Sequence, residues 1–232
     1  MRKIGFIGKY DKIDLMMYIS KILIVLGKKI LIIDSTTEQK TRYIVPAINP
    51  TLKYITEYEK MDIAVGFENM QEITRYLGLN EEKEMEYDIA LINADTSEGV
   101  TNFKMQENEK NYFVTSFDIY SLKKGLEAFN QVESAITLTK ILFSKDMIKE
   151  EDDYLNFLAK EYKIVWNKNI IYFPFETEDL SAIYENQRVE KIKFKKLSVQ
   201  YKEGLIYLTT EILGDINESR VRRTVKNIEK GV

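Results

Sequence analysis

Residues 3–34 read KIGFIGKYDKIDLMMYISKILIVLGKKILIID. The first six residues are a short apolar run, and the charged loop Lys9-Tyr10-Asp11-Lys12 interrupts it. A longer apolar stretch follows with Ile13, Met16, Met17, Ile19, Leu23 and Ile24 at helical spacing, which predicts a helix over Lys12–Leu26 buried on its apolar face. Gly27 closes that helix, and a second apolar run ends at Asp34. Strand, loop, helix and strand make one βαβ unit, so a parallel sheet is expected from this stretch alone.

The rhythm continues along the chain. Short apolar runs at Ile63–Phe67, Asp88–Asn93, Asn111–Ser116, Ile136–Phe143 and Asn169–Phe173 read as strands, and they lack the polar alternation of half-exposed strands. Helical patterns lie between and after them, at Glu68–Leu77, Asp118–Val132, Lys149–Glu161, Thr177–Asn186, Leu197–Leu213 and Glu218–Glu229. The expected fold is α/β, a doubly wound, mainly parallel sheet with helices on both faces, built as a single domain over residues 1–232. Ser35–Asp62, with Pro46 and Pro50, is expected to form a short helix and loops over the carboxyl ends of the strands. Its aromatic residues Tyr43, Tyr54 and Tyr58 are candidates for a partner surface. The acidic run Asn80–Glu86 reads as a solvated loop.

Composition narrows the chemistry. The chain has no cysteine and no histidine, which removes thiol nucleophiles, imidazole bases and the usual zinc ligands. Its 34 Lys+Arg nearly balance 37 Asp+Glu, so no overall basic field favours nucleic acid. The opening MRKIGFIGKYDK breaks its apolar run too early for a secretory signal, and no stretch approaches the ~20 apolar residues of a membrane span. A cytoplasmic location is expected, with peripheral contact at the inner face of a membrane as a further option.

The stretch Lys3–Asp34 resembles the opening of the MinD/ParA ATPases, the deviant Walker A group of the SIMIBI class. Their pattern is a strand, KGGxGK[ST][ST], a helix, a glycine, a basic pair and a strand closing in LLIID. The interval from Lys12 to Gly27 matches the family's spacing from P-loop lysine to glycine, which places Lys12 at the P-loop lysine and Lys9 at the additional signature lysine. The loop between them is two residues shorter and holds Tyr10 and Asp11 where the family has small residues. Ile13 and Asp14 replace the hydroxyl pair that binds Mg²⁺. Tyr87–Ser97 resembles the Walker B strand, with Asn93 at the aspartate position and Asp95 two residues on. Asn111–Phe129 and Ile170–Arg188 resemble later strand-to-helix segments of the family, and Ser144-Lys145 stands where its adenine-reading Asn-Arg pair would be.

The resemblance implies a nucleotide or anion site, weak or vestigial, formed by Gly8, Lys9, Lys12, Asp34 and Asp95. The residues by themselves also fit plainer roles. Lys9 and Lys12 fit solvated lysines at a turn, Asp34 a cap for Ser35-Thr36-Thr37, and Asp95 an Asx turn. No catalytic or metal-binding residue is assigned. The leading expectation is a catalytically degenerate protein of this family that needs no cofactor. It would serve as a positioning or scaffold partner of a membrane-associated, pilus, secretion or segregation assembly, as in the TadZ/CpaE branch. One alternative is an atypical ATPase that uses ATP and Mg²⁺ and dimerises over the nucleotide, and another is a ParA-type DNA-segregation protein. The expected partner is a protein, with a homodimer as a further expectation, and DNA is not expected. Ser219–Lys230 is a basic amphipathic segment that could touch a membrane, as the terminal helix of MinD does, or dock on the fold.

Overall fold

The computed structural model describes all residues except 49, 80–84, 145–148, 175, 215 and 232. Most of the 80–86 acidic run, and Lys145, therefore lie outside the described residues. Eight strands form one sheet: β1 (Arg2–Ile7), β2 (Ile30–Ser35), β3 (Tyr54–Tyr58), β4 (Met61–Val65), β5 (Ile89–Ala94), β6 (Lys110–Ser116), β7 (Ile136–Phe143) and β8 (Ile164–Phe173). Their spatial order is β3-β4-β2-β5-β1-β6-β7-β8. All neighbours are parallel except β3 and β4, which form an antiparallel hairpin at one edge.

The helices are α1 (Ile13–Val25), α2 (Thr41–Ile44), α3 (Met70–Tyr76), α4 (Ser97–Asn102), α5 (Ile119–Glu127), α6 (Lys149–Leu158), α7 (Thr177–Arg188), α8 (Val199–Leu213) and α9 (Glu218–Lys230). They divide between two apolar layers. In β2, Ile30 and Ile32 face the layer of α1, α7, α8 and α9, while Leu31 and Ile33 face that of α3, α4, α5 and α6. This two-sided burial is why the central strands read as unbroken apolar runs.

α1 is buried nearly all round, because the sheet lies under it and α8 and α9 pack across it. It ends at Gly27, whose φ of +88° lets the Lys28 amide reach back to the Leu23 carbonyl at 3.0 Å. α9 buries Val221 and Val225 beneath the same layer, and Arg222 donates to Glu203 and to Glu218, the latter at 2.7 Å. Of the readings open for this segment, docking on the fold is the one the structure shows.

Three expectations need correction. Ser35–Asp62 is not all helix and loop, because Tyr54–Tyr58 adds β3 to the sheet. The turn between β3 and β4 is Glu59-Lys60, both at positive φ (51° and 69°), without the Gly or Asn that normally marks such a hairpin. Glu59 is held there by ion pairs to Lys21 and, at 3.8 Å, to Lys191. Second, pairing within the sheet and packing against α1 bury Tyr54 and Tyr58, which leaves only Tyr43 of the three tyrosines exposed. Third, β8 begins at Ile164 rather than Asn169, with a register shift opposite Leu138–Lys140 on β7.

Candidate functional site

In an open parallel sheet, ligands sit outside the carboxyl ends of the strands where the winding direction reverses. Here β1, β2 and β5 lie side by side in the middle of the sheet, and the residues leaving their carboxyl ends are Gly8–Lys12, Ser35–Lys40 and Asp95. All five sequence candidates therefore converge. Around them is a recess of about 50 Å³ lined by Lys9, Lys12, Lys40, Asp11, Glu38, Asp95, Thr36, Asn93, Tyr10 and Ile13. That volume holds about three or four water-sized groups.

Gly8 makes the turn possible. Its φ is +138°, and a Cβ there would fall 2.3 Å from the Val114 carbonyl oxygen of β6. Its amide donates to the Ala94 carbonyl at 3.1 Å, and its own carbonyl accepts from the Lys12 ammonium at 2.6 Å. Lys12 is buried, and desolvation pushes its pKa down to about 8 against the opposing pull of Asp95, Asp11 and Asp34. Lys9 donates to Asp95 Oδ2 at 2.7 Å, with Glu38 3.9 Å away. Burial works to lower its pKa, but the hydrogen bond and charge of Asp95 outweigh burial, and the pKa is raised. Neither lysine is the solvated residue that a bare turn would give.

Asp95 Oδ1 also accepts from the Thr37 amide at 2.8 Å and its hydroxyl at 3.2 Å. Asp34 is fully buried and accepts from both the amide and the hydroxyl of Thr36 and of Thr41, the two hydroxyls at 2.6 Å. It does cap the turn that follows it, and it also ties down the start of α2. Asn93 donates to Asp34 Oδ1 at 3.5 Å, and its own Oδ1 is buried without a partner among the described residues.

Lys40 completes the site, and sequence reading did not find it. It lies between Asp11 and Asp14, 3.2 Å from the latter. Asp14 also accepts from Gln187 at 2.9 and 3.0 Å, and desolvation raises its pKa. Asp11 accepts from the Ile13 amide at 3.2 Å. A carboxylate of the chain itself thus occupies the first turn of α1, the place where a helix attracts a bound anion. The only sequence signal for Lys40 was a lysine in the irregular segment beyond Asp34. Tyr10 turns its ring onto Phe143, with centroids 4.7 Å apart, and Phe143 stacks in turn on Phe173.

These residues do not fit a magnesium nucleotide. A P-loop wraps phosphate in glycine amides, but after Gly8 this loop has only residues with side chains. Mg²⁺ wants carboxylate oxygens, yet Asn93 is neutral, Asp34 is saturated by hydroxyls and amides, and Asp95 is held by Lys9 and Thr37. Among the described residues no group of three or more carboxylates is placed to hold a metal ion.

The burial of Lys12 has a measurable consequence. Its folded pKa lies below the ordinary 10.5, so the unfolded chain binds the extra proton and stability rises with pH between about 8 and 10.5. The rise is expected to reach roughly 2–3 kcal/mol. Lys12→Met should lack it and be at least as stable as the parent at neutral pH. Urea melts of both proteins from pH 7 to 9.5 test this, and parallel curves would refute it.

No protein-family model matches the chain, and no curated protein matches it in sequence. Solved structures do match it in fold. A plasmid partition protein of Borrelia burgdorferi B31, bound to AMPPNP, superposes with a TM-score of 0.56 at 10% identity, over 93% of this chain and 99% of that one. The MinD cell division protein of Aquifex aeolicus gives a TM-score of 0.54 at 15% identity, over 94% and 98%. The MinC:MinD cell division complex of Aquifex aeolicus gives 0.53 at 12%, over 94% and 97%. These likenesses are likenesses of fold, a mainly parallel α/β sheet. The chain has the MinD/ParA fold, as the sequence resemblance implied.

Proposed function

We propose that this chain is a MinD/ParA-fold protein that works without nucleotide, as a positioning or scaffold subunit of a larger assembly. One observation supports the reading above others: each lysine at the site is already engaged by the chain. Lys9 holds Asp95, Lys12 holds the Gly8 carbonyl, and Lys40 holds Asp11 and Asp14. Three lysines face three carboxylates around the recess, with Asp14 and Asp34 directly behind. A triphosphate would have to break these pairs and enter a field that is negative overall. Gly8, Lys9, Lys12, Asp34 and Asp95 are on this reading a vestigial anion site converted to structural use. No helix among the described residues is long and apolar enough to cross a membrane, so contact with a membrane-associated assembly would be peripheral.

A scaffold needs a surface for its partner. Immediately beyond the site, Tyr43, Ile48 and Leu52 are 83%, 96% and 85% exposed, the least covered large apolar side chains among the described residues. We assign them the partner contact for which Tyr43, Tyr54 and Tyr58 were the sequence candidates. A protein partner agrees with the name of the Aquifex MinC:MinD complex.

Calorimetric titration with MgATP is the direct test. No saturable binding is expected up to millimolar nucleotide, for the parent or for Lys12→Ala. Micromolar binding abolished by Lys12→Ala would overturn the proposal in favour of an atypical ATPase.

A further inference from the structure

At the far edge of the sheet from the β3–β4 hairpin, α6 carries a row of side chains left exposed among the described residues. Asp153, Phe157 and Lys160 recur at i, i+4 and i+7, which places them on one face of the helix and the 3₁₀ turn that extends it. Phe157 is 63% exposed, and Tyr154 beside it is partly exposed. The Lys160 ammonium lies 5.8 Å above the Phe157 ring, which confirms that the two share a face. On the inner side, Leu155 and Ala159 enter the core, while Asp152 and Asn156 are engaged by buried Lys140 at 2.5 and 2.6 Å. Asp153, by contrast, has no ion-pair partner among the described residues.

The row has an acid at one end, a base at the other and an aromatic between them. A pattern of that kind is complementary to itself when reversed. We propose that this face of α6 is the contact for a second copy of the chain, with the two helices antiparallel about a two-fold axis near Phe157. Asp153 of each copy then meets Lys160 of the other, and the two Phe157 rings pack beside the axis. A two-fold contact requires a surface that matches its own rotated image, and this row does. Exposed aromatic residues supply the apolar anchor of such contacts, and the flanking charges set orientation. The contact is remote from Gly8–Lys12 and needs no nucleotide, so it holds or fails independently of the reading of that site.

Sedimentation velocity of the full chain over a concentration series, without nucleotide, tests it. The row is small, so a dimer of about ten to a hundred micromolar Kd is expected. Phe157→Ala should weaken it at least tenfold. Asp153→Lys and Lys160→Asp should each weaken it several-fold, and more at low salt, where repulsion is less screened. The double variant D153K/K160D should regain association, and so should a mixture of the two single variants, because each mixed dimer pairs lysine with aspartate at both ends. All these positions are exposed, and melting temperatures close to the parent will show that folding is intact. A strictly monomeric chain at several hundred micromolar would overturn the proposal. So would a dimer that ignores Phe157→Ala and the charge exchange.

Discussion

Gly8→Ala is expected to destabilise the protein by about 4 kcal/mol or more, at the extreme end for a single substitution. For a chain of this length that corresponds to a fall in Tm of roughly 8–16 °C. Two separate effects combine. The backbone at Gly8 has a φ of +138°, which L side chains rarely adopt. The added methyl would also stand 2.3 Å from the Val114 carbonyl oxygen. That oxygen belongs to β6, whose Val114 is in register with Ile141 of β7. It can move only if the middle of the sheet moves with it. Thermal unfolding by circular dichroism measures the effect, and a loss below about 1 kcal/mol would show that the turn is freer than described.

Asp34→Ala is expected to rank second, with a loss of about 3–5 kcal/mol. The carboxylate is fully buried and receives the amides and hydroxyls of Thr36 and Thr41. Its removal strands several donors at once, each worth about 1–3 kcal/mol if left unmade in the interior. Asp34→Asn keeps the shape but turns one acceptor into a donor that faces donors, so an intermediate loss is expected. In an ATPase of this fold the first deficit sought would be in turnover, whereas here it should appear in stability. Urea melts of both variants decide this, and parent-like midpoints would remove Asp34 from its structural role.

The sheet was legible because its strands are covered on both faces. Ile30–Ile33 and Ile89–Ile92 have no solvent side, so their apolar runs stand out without any knowledge of their neighbours. The hairpin edge was not legible. Ile63–Phe67 read as a strand and corresponds to β4, but its partner Tyr54–Tyr58 did not, because the joining Glu59-Lys60 turn has positive φ values held by contacts with Lys21 and Lys191, which are distant in sequence. Pro46 and Pro50 also made the whole segment read as irregular. At the site, register with Gly27 and Asp34 put Lys9 and Lys12 in the turn between β1 and α1, and both line the recess there. Sequence spacing could not show where their ammonium groups point, because Asp95 lies 86 residues from Lys9 and meets it only through the order of β1, β5 and β2. Lys40 was missed for the same reason: its value comes from Asp11 and Asp14 across a fold boundary, not from any local pattern.

The way α9 is seated limits how this helix could ever meet a lipid bilayer. Val221 and Val225 are already committed to the interior, so no greasy wedge is left to sink between acyl chains. What faces outward is Arg220, Arg223, Lys226 and Lys230. Adhesion through such a surface is ionic, confined to anionic headgroups, and rinsed away by moderate salt without unfolding anything.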